Sequence, residues 1–437
     1  MIGVFLFFWT DTLKITMEDA VQLALKNNPT LKMMKEEVKE AEYRVRDAFG
    51  NFLPSAGIQA GYLRLSEVPV IEMPKIDSFV MQGPGKLVPY THVDTMKMGS
   101  ENNYSFEFSI SQPLFTGGRL FNIWRISENN LHIARLEDTL FEKNLKYEVE
   151  KLYIYALVSQ EFFKLAKKIE EELKTHYESI KKRYKEGYST ELELLQAEAV
   201  YNSQKARVKE AYFNYQRMLD NLKFVMGIPV DKEVLLSDSL SESFEKPKLS
   251  FDIEERYDMK ILHLQKDMLR LQKKIILAKN LPQLFAGFSY SYKKPFGFED
   301  EWRGTWGLNF GIKLSLFEGG KRIAELGRIN TEIKKIEIIL SQKSQEIQKE
   351  KNEKLRNYEN AKSMLRIAKE NLMVAEKLYK TAKTQYEEGI ATHLDFLNAE
   401  TSYAQKRAEY LKALAELWIA GINLEQLKIG SFEKGGM

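Results

Sequence analysis

What most constrains this chain is that it is one unit written twice. Leu114-Phe115-Thr116-Gly117-Gly118-Arg119 returns 202 residues later as Leu316-Phe317-Glu318-Gly319-Gly320-Lys321, and Tyr184-Lys185-Glu186-Gly187 returns at the same spacing as Tyr386-Glu387-Glu388-Gly389. Beyond the second glycine, Thr190, Leu192, Glu193, Leu195, Ala197 and Glu198 face Thr392, Leu394, Asp395, Leu397, Ala399 and Glu400. Two independent motifs at one spacing mark an internal duplication, so the two halves share one plan. Upstream, Leu53-Pro54 and Leu281-Pro282 are 228 apart, so the first copy carries 26 extra residues. They fall in 66–102, which holds four of the eleven prolines and reads as a long irregular loop.

Each copy has the same order. A helical stretch (about 17–50; about 253–280) ends at Leu-Pro, two strand-like segments follow, then the Gly-Gly motif, a very long helix, a Tyr-x-Glu-Gly turn and a returning helix. The expected first repeat is 15–230, with strands near 55–65 and 103–113, the loop at 66–102 and a turn near 184–190. The second is 251–430, with strands near 284–294 and 304–315 and a turn near 386–392. Residues 231–250, between Pro229 and Pro247, read as an irregular linker, and 431–437 as a tail.

The strand segments alternate with period two. Tyr104, Phe106, Phe108 and Ile110 share one side, against Ser105, Glu107, Ser109 and Ser111. In the second copy Phe288, Tyr290 and Tyr292 oppose Gly287, Ser289 and Ser291, while Trp306, Leu308, Phe310 and Ile312 oppose Gly307, Asn309, Gly311 and Lys313. The segment from Ala56 is weaker, with Ile58 and Tyr62 on one side. Any one such strand fits a half-buried sheet of a water-soluble domain. Four of them, each about ten residues long with aromatic-aliphatic and small-polar sides, fit the lipid and lumen faces of a transmembrane barrel. Sheet edges cannot stay open in lipid, and barrels start at about eight strands, so several copies must contribute. Three copies would make twelve strands. On this reading Tyr104, Phe106, Phe108, Ile110, Phe288, Tyr290, Tyr292, Trp306, Leu308 and Phe310 face lipid.

Between Gly118 and Gly187 lie 68 residues without proline or glycine, and between Gly320 and Gly389 another 68 interrupted only by Gly327. At about 1.5 Å per residue each spans roughly 100 Å as helix. Leu365, Ala368, Leu372, Ala375, Tyr379, Ala382 and Tyr386 step 3, 4, 3, 4, 3, 4, a coiled-coil seam, and Leu145, Val149, Leu152, Ala156, Phe163 and Ala166 are spaced similarly. Two shorter helices stacked end to end, about 17–50 and 190–226, would match one long one. These helices taken alone would also suit a non-membrane coiled-coil scaffold or adhesin.

Composition enters here as a set of exclusions. The chain has 437 residues, no cysteine, and a net charge of +3 from 65 basic and 62 acidic residues. No global field points to nucleic acid. The longest uninterrupted apolar run is Ile2–Trp9, far short of the roughly 20 residues of a spanning helix. It stands where a secretory signal would, without a basic flank or a clear cleavage site, so 1–14 reads as a truncated or atypical export signal, or as a terminus that only touches a membrane. The absence of cysteine excludes thiol catalysis, cysteine-bound zinc and any anchor that needs an N-terminal cysteine. The five histidines, His92, His132, His176, His263 and His393, show no metal-ligand spacing, and no nucleotide-binding or hydrolase motif is present. The reading is therefore not an enzyme, with no cofactor and no metal.

With these residues in hand, the chain resembles the TolC family of outer-membrane efflux and secretion channels over nearly its whole length. The resemblance is carried by Ile15-Thr16-Met17-Glu18-Asp19-Ala20 through Leu25, Asn27-Asn28-Pro29, Gln112-Pro113-Leu114-Phe115 with Gly117-Gly118, Tyr184 to Glu198, and Met226-Gly227-Ile228-Pro229. It implies a mainly α fold with a membrane β-barrel portion: a homotrimer whose twelve-stranded β-barrel in the outer membrane continues into a twelve-helix periplasmic α-barrel, with a mixed equatorial region formed by the linker and the C-terminus. It further implies a passive exit duct docked to a periplasmic adaptor protein and an energised inner-membrane transporter, and no enzymatic activity. By the same resemblance Gly187 and Gly389 match the hairpin tips where adaptors dock, although glycines there are also ordinary helix C-caps. At the periplasmic entrance Asp395 matches the first of two acidic family positions, while Asn398 stands where the second acid is common, and Glu193 is the counterpart in the first copy. Asp395 could equally be a solvated helix residue.

Overall fold

The computed structural model describes residues 13–97, 99–240, 252–297 and 299–429. Residues 1–12 of the export segment expected at 1–14, the tail at 431–437 and the second half of the linker, 241–250, lie outside the described residues, and Leu13 and Lys14 of the expected export segment belong instead to β1. The elements, in order, are β1 (Leu13–Ile15), α1 (Met17–Asn27), α2 (Pro29–Gly50), β2 (Ser55–Arg64), β3 (Val70–Met81), β4 (Leu87–Lys97), β5 (Asn102–Phe115), α3 (Arg119–Lys185), α4 (Glu191–Met226), β6 (Val234–Leu236), α5 (Tyr257–Ala278), β7 (Gln283–Lys294), β8 (Arg303–Lys313), α6 (Lys321–Glu387) and α7 (His393–Gln426). No described helix is long and apolar enough to cross a membrane.

The chain divides into two compact units. One, formed by 1–40, 131–265 and 335–437, is helical. Its main core joins α1, α3 and α4 to the small parallel pair β1–β6, with Leu31, Leu145, Val149, Tyr153, Ala156, Leu157, Leu222 and Met226 buried. Tyr153 spends its hydroxyl on the Ile15 carbonyl at 3.0 Å, which fastens β1 to α3. A second cluster packs α6 on α7 through Tyr358, Ala361, Leu365, Leu414 and Leu417, and Ile154 and Val158 of α3 meet Ala415 and Ile422 of α7.

Two expectations need correction in this unit. The stretch expected as one helix at 17–50 is broken at Asn28, whose φ of −54° and ψ of 122° leave the helical region. The cause is Pro29, which disfavours helical geometry in the residue before it. Asn28 turns the break to use: its amide donates to the Val225 carbonyl at 2.8 Å and its oxygen accepts from the Leu31 N–H at 3.0 Å. The segment expected as an irregular linker contains β6, since Val234–Leu236 pairs in parallel with Leu13–Ile15 and buries Val234 and Leu236.

The second unit, 41–130 with 266–334, carries a four-stranded antiparallel sheet in the order β2-β5-β7-β8. The region expected as an irregular loop at 66–102 is instead largely a long hairpin, β3 paired with β4, with a register shift between Ile76 and Ser78. Pro74 and Pro89 sit inside its strands. Proline is tolerated there because each strand of a two-stranded ribbon has one partner only, so alternate N–H groups point outward and their loss breaks no ladder bond. Pro84 lies in the turn between Gly83 (φ 97°) and Gly85 (φ 89°). The duplicated motif also ends differently in the two copies: Phe115 still belongs to β5 and pairs with Leu284, whereas β8 stops at Lys313, short of the expected 315. β5 has neighbours on both sides and β8 on one, and Leu316 and Phe317 beyond it are each 85% exposed.

Candidate functional site

Register decides which residues share a face, because a slip by one would move every side chain to the other side. Ile58 pairs with Phe108, Phe108 with Tyr290 and Tyr290 with Trp306; Ile110 pairs with Phe288 and Phe288 with Leu308; Phe106 pairs with Tyr292, Tyr104 with Tyr62, and Phe310 with Ala286. All ten residues expected on the apolar side therefore lie on one face of the sheet, together with Ile58 and Tyr62. The other face carries Ser105, Glu107, Ser109, Ser289, Ser291, Thr305 and Asn309 among glycines. Trp306 and Phe310 are 70% and 77% exposed, so the described residues leave this part of the face uncovered.

At the end of the sheet near Arg64 and Lys294 the rings of Tyr62, Tyr104, Trp302 and Tyr292 form a chain, with centroids 5.1, 5.8 and 4.9 Å apart. The Tyr62 hydroxyl donates to the Asn102 side chain at 2.9 Å. Trp302 was not expected from sequence. Its signal was the period of two running back from Trp306 across Gly304, a glycine whose added Cβ would come within 2.4 Å of the Tyr290 hydroxyl.

The two hairpin turns are built alike in the helical unit. Gly187 (φ 83°) and Gly389 (φ 76°) take the left-handed conformation that ends a helix, with Tyr188 N–H donating to the Arg183 carbonyl and Ile390 N–H to Gln385, both at 2.8 Å. A Cβ at either glycine would meet nothing within 4 Å, so the backbone there is open on its outer side. The next helices start with matched capping boxes, Thr190 with Glu193 and Thr392 with Asp395. Asp395 accepts from the Thr392 N–H at 3.1 Å and its hydroxyl at 2.6 Å; these bonds hold its carboxyl below the usual range. The Thr190 backbone bond does the same for Glu193. Both acids are thus ionised partners of an N-cap threonine, and Asn398, one turn beyond Asp395, is exposed.

Behind the turns, Leu173 of α3 and Phe396 and Leu397 of α7 form a buried cluster with Val200 and Tyr201 of α4 and Tyr379 and Tyr386 of α6. His176 and His393, 217 residues apart in sequence, meet inside it at 2.9 Å. Burial, then the neighbouring His393 and Arg183, pushes the His176 imidazole down to about 4. Burial, with Glu172 close by, pushes the Glu400 carboxyl up to about 7. Sequence reasoning missed this group because the two copies differ at its histidines: Glu191 of the first copy stands where His393 stands in the second, and Leu378 of the second where His176 stands in the first, while Glu198 and Glu400 match. Among the described residues no group of three or more His, Cys, Asp or Glu could hold a metal ion.

Comparison with known proteins bears on both regions. The family model described as outer membrane efflux protein matches residues 20–228 and 253–428. Among solved structures, the Campylobacter jejuni CmeC outer membrane channel superposes with a TM-score of 0.78 at 16% identity, covering 96% of this chain and 87% of that one. The Vibrio cholerae outer membrane protein VceC gives 0.71 at 18%, covering 95% and 97%. CusC, described in connection with transmembrane channel formation, gives 0.75 at 18%, covering 95% and 92%. No curated protein sequence matches the chain.

Proposed function

The chain belongs to the outer membrane efflux protein family, and from that premise we propose that it is the exit duct of a tripartite efflux or type I secretion assembly. It is an outer-membrane efflux channel protein reaching into the periplasm. The observation that carries the finer reading is the four-stranded sheet with one apolar face and, among the described residues, an unpaired outer edge on each of β2 and β8. Unpaired backbone is not tolerated in lipid, and four strands cannot close on themselves. Three copies complete a twelve-stranded barrel, in which the ten aromatic and aliphatic residues from Tyr104 to Phe310 face lipid and the Ser, Asn and Glu side faces the lumen. The long helices of three copies form the twelve-helix periplasmic wall, and the open backbone at Gly187 and Gly389 receives the helical hairpins of a periplasmic adaptor. Asp395 and Glu193 ring the entrance as carboxylates that favour cations. The chain is a passive conduit, so an inner-membrane transporter supplies the energy.

Reconstitution into planar bilayers tests this. Discrete unitary conductance steps are expected from detergent-purified trimers. A chain that is monodisperse without detergent and gives no steps would overturn the duct and favour a coiled-coil scaffold or adhesin.

A further inference from the structure

Within the helical unit, the α3–α4 hairpin packs on the α6–α7 hairpin through a seam with two tiers of titratable side chains between α3 and α7. In the first, His176 Nε2 and His393 Nδ1 are 2.9 Å apart, with rings 14° from parallel and centroids separated by 4.7 Å. Tyr386 of α6 meets His176 edge-on at 5.6 Å, and Phe396 of α7 lies at 5.1 Å. His393 is 7% exposed, and its Nε2 is buried without a partner. The charged groups near this tier are Arg183 of α3 and Glu193 of α4. In the second tier, two helical turns along α7, Glu400 is 5% exposed and lies near Glu172 of α3, with Lys383 and the Tyr379 phenol of α6 beside it.

We propose that these tiers are two opposed pH-sensitive locks on the docking of one hairpin against the other, the histidine tier loosening in acid and the carboxylate tier loosening as acid is withdrawn. The neutral histidine pair needs one shared proton, one ring donating and the other accepting. A second proton would set two donors face to face, bring charge beside Arg183, and give a buried donor with nothing to receive it. With the hairpins apart His176 titrates near its ordinary 6.5, and docked near 4. The undocked state therefore binds more protons between those values, and docking weakens as pH falls through that window. His393, also lowered by burial, adds to the acid side. Glu400 has the opposite sign: raised from 4.5 to about 7, it binds its proton more tightly when docked, so docking weakens as pH rises through that window. Each tier alone would change the docked-to-undocked ratio on the order of 100-fold, and where the windows overlap they offset. The seam is thereby held through mildly acidic conditions.

The chain has no cysteine, so Tyr188→Cys and Ile390→Cys, at exposed positions on the two turns, place two unique spin labels. The full-length labelled chain, reconstituted with excess unlabelled chain and with urea added until docked and undocked distances are both populated, is read by pulsed dipolar spectroscopy from pH 4 to pH 8. The labelled chain without either substitution should change its docked-to-undocked ratio between pH 4.5 and 6.5 by less than the substituted chains do. His176→Phe combined with His393→Phe keeps both rings without a titrating group and should leave docking that strengthens steadily toward acid, by on the order of 100-fold. Glu400→Gln should leave the reverse slope. Profiles unchanged by both substitutions, or moved by both in the same direction, overturn the proposal. If the double variant does not assemble, His176→Phe alone tests the same tier, with a profile shifted toward stronger docking in acid. The readout is a distance within one chain, so it stands or falls separately from the duct, which bilayer conductance tests.

Discussion

At the scale of single residues, the positions with least freedom are those where backbone meets backbone. Gly227 ends α4 with φ of 66°, and a Cβ there would lie 2.7 Å from the Asn27 carbonyl oxygen. Gly227→Ala should destabilise the chain by about 1–3 kcal/mol from left-handed strain, with the clash added, read as a lower urea midpoint at unchanged slope. Gly187 and Gly389 carry similar φ but face open space, so substitution there costs strain without collision. Asp395 combines a capping role with its charge, and two substitutions separate them. Asp395→Asn should lower the cation preference of the conductance, seen as a shift in reversal potential. Thr392→Ala removes the capping partner at about 1 kcal/mol but keeps the carboxylate, so the reversal potential should stay. A shift with Thr392→Ala and none with Asp395→Asn would end the entrance role of Asp395.

At the scale of elements, the sheet and the hairpins obey different rules. On β8, Phe310 and Asn309 are neighbours in sequence and lie on opposite faces. Phe310→Arg should cost about 2–4 kcal/mol near the middle of a bilayer and reduce assembly into vesicles, whereas Asn309→Arg should assemble and alter ion selectivity. Equal assembly of the two variants would mean that the apolar face does not meet lipid. Between the hairpins, aromatic and aliphatic packing at Leu173, Phe396 and Leu397 supplies the contact and the buried His and Glu tiers set its dependence on protons. The β3–β4 ribbon reads as a loop in the sequence because of its prolines, and only pairing shows that a ribbon with one partner per strand can hold them.

At the scale of the whole molecule, the prediction is stoichiometry. Strand pairing in the described residues leaves the outer edges of β2 and β8 free, and Leu316 and Phe317 stand uncovered beyond β8. Native mass spectrometry from detergent should give three times the 50.9 kDa chain. A monomer or dimer that still conducts would exclude closure by three copies. A mean hydropathy of −0.39 is what the proposed trimer requires, in which membrane contact is confined to four strands per chain and charged helix makes up most of the remainder.

Much of this was legible in order along the chain. The 202-residue repeat, the two proline-free stretches and the alternation from Tyr104 to Ile110 are local patterns, and local patterns report period, length and which side chains share a face. They determined the paired long helices, the two-sided strands and the order of these within each copy. Tertiary structure alone decided the order β2-β5-β7-β8, the parallel contact of Leu13–Ile15 with Val234–Leu236, and the meeting of His176 with His393. Those features join residues tens to hundreds of positions apart, and no period in a sequence encodes which distant partner fills a given space. The capping roles of Glu193 and Asp395 lie between: Thr-x-x-Glu and Thr-x-x-Asp were written plainly in the chain, but only the folded turns, where side-chain oxygens satisfy helix N–H groups that have no other partner, made them caps as well as charges.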